Sequence, residues 1–189
     1  MHSSKVQDYH QEPKSESTIM KTLILSLISL LVPLAPSTDI TPTDWVTKQI
    51  SVESFADLSI ESAGNIVVLY NEKNTLQING EGACVEAFET NVSENTLHIT
   101  KKDGFDNCKA EVVIGAPKIV DINVKNGGII NLSSVKADSM FASIESGGII
   151  SLDAQEFLYG KIKGGGIINY KGNPFVHTDI IDAGEVKRN

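Results

Sequence analysis

Few side chains in this sequence are of the types that perform covalent or metal chemistry. The chain holds two cysteines and four histidines, too few for a closed zinc site built from paired Cys-x-x-Cys motifs. It contains neither a nucleophile elbow nor a glycine-rich phosphate loop followed by Lys and Ser or Thr. His98 and His177 lie beside apolar residues of alternating strands and are expected to point outward. We therefore predict no catalytic residue, no cofactor and no metal site.

Carboxylates are the remaining candidates for acid–base chemistry or calcium binding, as in the solenoid polysaccharide lyases and hydrolases. Asp121, Asp153, Asp179 and Asp182 fall at different positions of the repeat described below and do not align in one column. The segment 103–107 carries oxygen ligands but lacks the spacing of a calcium loop. A carbohydrate-active enzyme is therefore the least favoured of three functional hypotheses.

The charge and apolar content of the chain limit the classes of partner that it is expected to bind. Lysine and arginine total 16 against 24 aspartates and glutamates, a net charge of −8 over 189 residues. Because clustered positive charge is what binds phosphate backbones and anionic membranes, we expect no nucleic-acid partner. The apolar content of 41% suffices for a hydrophobic core, and the length predicts one domain, or one domain plus a small appendage.

The N-terminal region predicts export. Residues 23–34 form a twelve-residue apolar run that follows Met20 and Lys21 and leads into small residues up to Ser37. A short basic start, a brief apolar stretch and a small-residue cleavage region are typical of a secretory signal peptide, here 20–37. The run is too short to cross a bilayer, so we predict no transmembrane anchor in the mature chain. A buried core helix is the alternative.

The flanking sequence extends this prediction. Residues 1–19 are polar and without period, which indicates either that Met20 is the true initiator or that 1–19 is part of a long, unusual leader. The exported chain would act in the periplasm or at the cell surface, where disulfides persist. Cys84 and Cys108 are then the one intrachain pair, and their disulfide would stabilise the fold by about 3 kcal/mol. Two buried free thiols are the alternative.

The elements that would carry any site are strands of a degenerate repeat. Residues 126–132, NGGIINL, recur as 146–152, SGGIISL, and as 164–170, GGGIINY, at spacings of 20 and 18 residues. Such short repeats, rich in β-branched residues, predict an all-β fold over residues 48–189, a parallel β-solenoid. An antiparallel meander of similar hairpins is the alternative.

Each copy predicts a sharp corner followed by a strand with a buried face. Glycine tolerates positive φ without steric cost, so a glycine pair can turn the chain between two strands. The predicted structural corners are Gly127, Gly128, Gly147, Gly148, Gly165 and Gly166. Beyond them, coils stacked about 4.8 Å apart would align Ile130, Ile150 and Ile168 in one buried column. A polar fourth copy at 183–188 would cap the stack.

Strand alternation places a second set of isoleucines on the outside. If Ile130 and Leu132 face inward, their neighbours face outward, because side chains alternate along a strand. The candidate binding face is therefore Ile129, Asn131, Ile149, Ser151, Ile167 and Asn169. Contiguous exposed apolar surface usually marks a contact site. The alternatives are that the N-terminal strands cover these isoleucines, or that the corner turns both isoleucines of a copy inward.

The Gly-Gly-Ile-Ile-Asn units resemble the auto-transporter adhesin head GIN domain family, as do Phe55 leading into 58–60 and the closing Gly172-Asn173-Pro174. The resemblance covers about residues 50–188. It implies a right-handed parallel β-solenoid with coils of 18–20 residues, secretion in Gram-negative bacteria, and a surface or periplasmic role. Asn126 and Ser146 stand where the family often has glycine, and the outward isoleucines stand where a polar residue is common.

These observations favour an exported, non-enzymatic surface or periplasmic module, adhesin-like, that binds through one face of the solenoid. Regularly spaced Asn, Ser and Lys groups would meet a glycan or a surface protein there. The alternative is a structural, self-associating envelope protein in which the isoleucine face or the open coil end makes contacts within a homo-oligomer.

Overall fold

The computed structural model describes residues 44–62, 64–105, 107 and 109–189. The strands are β1 (Trp45–Ile50), β2 (Asp57–Glu61), β3 (Asn65–Tyr70), β4 (Thr75–Glu81), β5 (Phe88–Ser93), β6 (Thr96–Lys101), β7 (Ala110–Ala116), β8 (Asp121–Lys125), β9 (Ile129–Glu145), β10 (Ile149–Lys163), β11 (Ile167–Lys171), β12 (Phe175–Ile181) and β13 (Glu185–Arg188). One short helix, α1 (Gly82–Glu86), follows β4.

Three sequence predictions fall outside the described residues: the polar leader 1–19, the signal peptide 20–37, and Cys108. Cys84 is buried in α1, and its disulfide with Cys108 stays a prediction. Within the part of the chain that the structure describes, no helix has the length and apolar character needed to span a membrane.

The strands join into one 13-stranded sheet, which confirms the all-β class. The sheet is open and curled, and β9 and β10 run through both of its halves. The leading half, which includes the strands that precede the diglycine corners, orders β5, β6, β2, β8, the end of β9, the end of β10, and β12. The trailing half, which includes the strands that follow the corners, orders β1, β4, β7, β3, the start of β9, the start of β10, β11 and β13.

The repeat copies stack in parallel register. Ile149 is the Cα partner of both Ile129 and Ile167, and Ile167 is that of Glu185. The corners are bonded to each other as well, because the Ile149 N–H donates to the Gly128 carbonyl at 2.9 Å. The Ile167 N–H donates in the same way to the Gly148 carbonyl at 2.9 Å. Equivalent residues of successive copies therefore lie side by side.

Antiparallel pairs of the N-terminal strands depart from the predicted all-parallel solenoid. They join β1 to β4, β4 to β7, and β5 to β6. The last pair has a local cause: only Glu94 and Asn95, with φ of 50° and 64°, connect β5 to β6. A two-residue hairpin can join only antiparallel strands, whereas a parallel pair needs a long crossover. The result is a mixed sheet in which the repeat portion is parallel, as are the pairs β2–β6 and β3–β7, and three N-terminal pairs are antiparallel.

Inward side chains of both halves meet in one hydrophobic core. Leu58 and Ile60 come from the leading half, Ile66 and Val68 from the trailing half, and all belong to the same buried cluster. The three isoleucines that the sequence placed in one buried column are 0% exposed: Ile130, Ile150 and Ile168. Because both halves bury their inward faces here, their outward faces lie on opposite sides of the domain.

The predicted glycine corners have the backbone conformation that only glycine adopts readily. Gly165 and Gly166 have φ of +98° and +133°, and the other two pairs are also positive. Asn126 and Ser146 precede their glycine pairs in the left-handed region, with φ of 62° and 64°. Asparagine enters this region more easily than most residues.

Candidate functional site

The predicted binding face forms one surface on the trailing half, which we call the isoleucine stripe. Its six residues occupy two adjacent columns: Ile129, Ile149 and Ile167 in one, Asn131, Ser151 and Asn169 in the other. Ile129 is 54% exposed, and the other two isoleucines are half-buried. The N-terminal strands therefore leave Ile129 uncovered, and the corner does not turn it inward.

The polar column of the stripe keeps free hydrogen-bonding capacity. The Asn131 Oδ1 accepts the Ser133 backbone N–H at 3.1 Å, which orients this amide. Among the described residues, the side chains of Ser151 and Asn169 have no hydrogen-bond partner. These groups can donate to or accept from a bound molecule.

A second surface, on the outward side of the leading half, was not predicted from the sequence. Five ring-bearing side chains meet there in an aromatic ladder: Phe141, Phe157, Tyr159, Phe175 and His177. Phe157 stacks on Phe175 with ring centres 6.1 Å apart, and Tyr159 stacks on His177 at 5.4 Å. Phe141 is tilted against its neighbours and is 43% exposed, so part of this side chain is open to solvent.

The repeat spacing carried the signal that would have revealed this ladder. Phe141, Tyr159 and His177 are separated by 18 residues each, and so are Phe157 and Phe175. In the structure these are Cα partners on neighbouring strands. The sequence prediction used the repeat to align the buried positions and the outward isoleucines that follow the corners. The outward positions of the strands that precede the corners, where these rings lie, were not aligned in this way.

A cleft of about 300 Å³ lies beside the ladder on the same face. Its polar lining comes from three strands: Asn123, Ser143, Glu145, Lys161 and Lys163. The Asn123 Oδ1 is buried and has no hydrogen-bond partner among the described residues. A buried acceptor without a donor costs free energy, so this atom favours a ligand that brings an N–H or O–H group. The cleft has the size of a small-ligand site.

Acidic side chains border the aromatic ladder at the end that Phe141 forms. Asp121 is the Cα partner of Phe141 on one side and of Asp57 on the other. Partial desolvation raises the pKa of the Asp121 carboxyl above 3.8, and the nearby Asp57 carboxylate raises this pKa further. The Asn95 Nδ2 donates to Asp57 Oδ2 at 3.1 Å. Within the described ranges, no three His, Cys, Asp or Glu side chains are grouped to hold a metal ion.

Comparison with known families decides where the chain belongs. The family model described as "Putative auto-transporter adhesin, head GIN domain" matches residues 54–139 and 115–174, which together cover more than half of the chain. The chain belongs to this family. No curated protein matches it significantly.

Several solved structures match about three quarters of this head GIN protein. A putative adhesin from Bacteroides fragilis is 19% identical, with a TM-score of 0.40 over 78% of this chain and 98% of its own. A putative cell adhesion protein from Clostridium sporogenes is 12% identical, with a TM-score of 0.44 over 77% and 99%. A putative lipid binding protein from Parabacteroides distasonis is 15% identical, with a TM-score of 0.38 over 76% and 97%.

The residues of this head GIN protein that the family model matches include most of both surfaces, the isoleucine stripe and the aromatic ladder. It includes the whole isoleucine stripe, and of the ladder it includes Phe141, Phe157 and Tyr159. Phe175 and His177 lie in β12, which begins directly after the match ends at residue 174. The match therefore does not extend over the last coil, which contains β12 and β13.

The raised pKa of Asp121 predicts a pH-dependent contribution to stability. The folded state favours the protonated carboxyl, so the charged form lowers the free energy of unfolding at neutral pH. This loss disappears as the pH falls through the pKa that Asp121 has in the folded state and then through the pKa that it has in the unfolded state. Asp121→Asn should raise the free energy of unfolding at pH 7 by less than about 0.5 kcal/mol, since the carboxyl is only partly desolvated and is still screened by solvent. Urea unfolding at pH 7, 5 and 3 should show this gain shrinking. A variant less stable than the parent at pH 7 would contradict it.

Proposed function

We propose that this chain is an exported, non-enzymatic, adhesin-like module that binds glycans at the aromatic ladder and its neighbouring cleft. The observation that carries the proposal is the juxtaposition of exposed rings with a polar cleft on one face of the sheet. Membership in a family described as an adhesin supports a binding role. A glycan and a surface protein were both open from the sequence, and the mixture of ring and polar groups favours the glycan.

The two parts of this face suit the two sides of a sugar. An aromatic ring offers a flat apolar surface that packs against the C–H groups of a pyranose ring. Amide, hydroxyl and ammonium groups bind its hydroxyl groups, and Asn123, Ser143 and Lys161 supply one of each kind. Asn123 and Lys161 are both Cα partners of Ser143, so the three polar groups lie in adjacent strands.

Export and the finer architecture belong to the same proposal. The predicted signal peptide at 20–37 and the adhesin family support a periplasmic or cell-surface location. The parallel register from β8 to β13 supports a right-handed β-solenoid in the repeat region, because parallel crossovers are nearly always right-handed. Such a region would display the ladder as a regular column on the cell surface.

A glycan array followed by calorimetry on the best ligand tests the function. Tyr159→Ala removes the central ring of the ladder, and we expect it to weaken binding by about tenfold or more, as truncation of an aromatic anchor does at other interfaces. Lys161→Ala should weaken binding by a smaller factor because it removes one polar contact. Both side chains point outward, so the thermal unfolding midpoint should stay close to that of the parent.

The isoleucine stripe provides the matched control on the opposite side of the domain. The double variant Ile149→Lys and Ser151→Lys alters that surface while leaving the ladder intact. Binding that survives this double variant but is lost with Tyr159→Ala supports the ladder. If only the stripe variant abolishes binding, the site lies at the stripe, as the sequence first suggested. A parent protein that binds no glycan on the array overturns the proposed function.

A further inference from the structure

The last strand of the leading half is an edge that lacks the usual protection. Within the described residues β12 pairs with β10 alone, so its other side presents unpaired backbone N–H and C=O groups. Natural sheet edges are normally protected by charged residues, proline or bulges. The seven residues of β12, FVHTDII, include one acidic side chain and no lysine, arginine or proline. By contrast, the neighbouring edge strand β13 reads EVKR.

The same strand leaves the end of the core open to water. Ile162 on β10 is 0% exposed, whereas Ile180, its partner in the same buried column on β12, is 42% exposed. On the outward side of β12, Phe175 is 71% and Ile181 is 44% exposed. The sequence predicted that the polar last copy would cap the stack. The charged residues of that copy lie in β13, at the edge of the other half of the sheet, so β12 has none of them.

We propose that β12 pairs antiparallel with β12 of a second copy of this chain, about a two-fold axis at Thr178. In this register Phe175 lies opposite Ile181 of the other copy on the outward side, and Val176 lies opposite Ile180 on the core side. His177 lies opposite Asp179, so an imidazole meets a carboxylate twice, once on each side of the axis. Cross-strand pairs of these kinds stabilise antiparallel sheets, and a self-complementary strand is what a two-fold interface requires.

Neighbouring registers do not share this complementarity. Moving the axis to His177 puts the two imidazoles opposite each other and places Phe175 against Asp179. Moving it to Asp179 puts two carboxylates opposite each other, which is destabilising. A register shift by a single residue would pair outward positions of one copy with inward positions of the other. It would therefore turn the core-facing side of one copy toward solvent. The register centred on Thr178 is therefore the one in which both faces of β12 are satisfied.

Sedimentation or light scattering of the full chain over a range of concentrations tests the dimer. We expect a monomer–dimer equilibrium that reaches mostly dimer near ~100 µM, since one strand pair buries less area than a standard interface. His177→Asp and Asp179→His should each weaken dimerisation by about tenfold, because each places like charges or two imidazoles opposite each other. The double variant H177D/D179H restores the opposite pair and should dimerise like the parent.

A crosslink tests the register directly and does not depend on the charge variants. In this geometry the two Thr178 Cα atoms lie about 4.5–5.5 Å apart, within disulfide range. Thr178→Cys should therefore form a covalent dimer on oxidation, and the matched variant Ser139→Cys, exposed on β9, should not. A parent chain that stays monomeric at ~300 µM, well above the expected midpoint, overturns the proposal. So does a double variant that fails to restore dimerisation while its thermal unfolding is normal. Neither result bears on glycan binding, which is measured separately.

Discussion

Replacing Gly166 with alanine should lower the free energy of unfolding by about 3 kcal/mol or more, from backbone strain together with overpacking. Gly166 has φ of +133°, a conformation that residues with a Cβ rarely adopt. An added Cβ would lie 2.8 Å from Ile144 Cγ2 and 3.2 Å from the Gly148 carbonyl oxygen of the adjacent corner. Because both neighbours belong to the stacked coil below, relief would require the two corners to separate.

The adjacent glycine provides the control for this prediction. Gly165 has φ of +98°, but a Cβ added there would meet no atom within 4 Å. Gly165→Ala should therefore cost only the backbone term, about 1–2 kcal/mol. Urea unfolding of both variants, followed by circular dichroism, measures the difference. Equal losses for the two variants would show that the corners are not stacked as described.

Replacing Ile150 with alanine should also be severe, with an expected loss of about 2–5 kcal/mol in the free energy of unfolding. Ile150 is 0% exposed and lies in register between Ile130 and Ile168, both also fully buried. Truncation would remove apolar contacts from the middle of this column and leave a cavity between two coils. The coils cannot close over the cavity, since the backbone ladder fixes their spacing.

The preceding residue tests the same prediction with identical chemistry. Ile149→Ala removes the same atoms from the outward side, where Ile149 is half-buried. We expect it to lower the free energy of unfolding by less than about 1 kcal/mol, because little apolar area returns to water and no cavity forms. Thermal and urea unfolding of the two variants should differ clearly. A larger loss for Ile149→Ala than for Ile150→Ala would reverse the assignment of inward and outward faces.

The repeat made the local structure predictable. A pair of glycines before Ile-Ile specifies a turn with positive φ, and strand alternation then decides which isoleucine is buried. Both inferences depend on sterics within a few residues, and the structure agrees at Gly166 and Ile150. The family resemblance was readable for the same reason, because it depends on the repeated corner motif. The isoleucine stripe followed from the same alternation, and its six residues do lie together.

The sequence alone determined the strand class, the corners, the buried columns and the family of this protein. Only the tertiary structure decided how the N-terminal strands pair, that rings 18 residues apart form a ladder beside a cleft, and that β12 is left exposed. The physical reason is the distance along the sequence over which each feature is decided. A turn or a strand alternation is fixed by neighbouring residues, whereas strand partners and edges depend on which segments compete for the same backbone hydrogen bonds. That competition is settled by the free energy of the whole sheet.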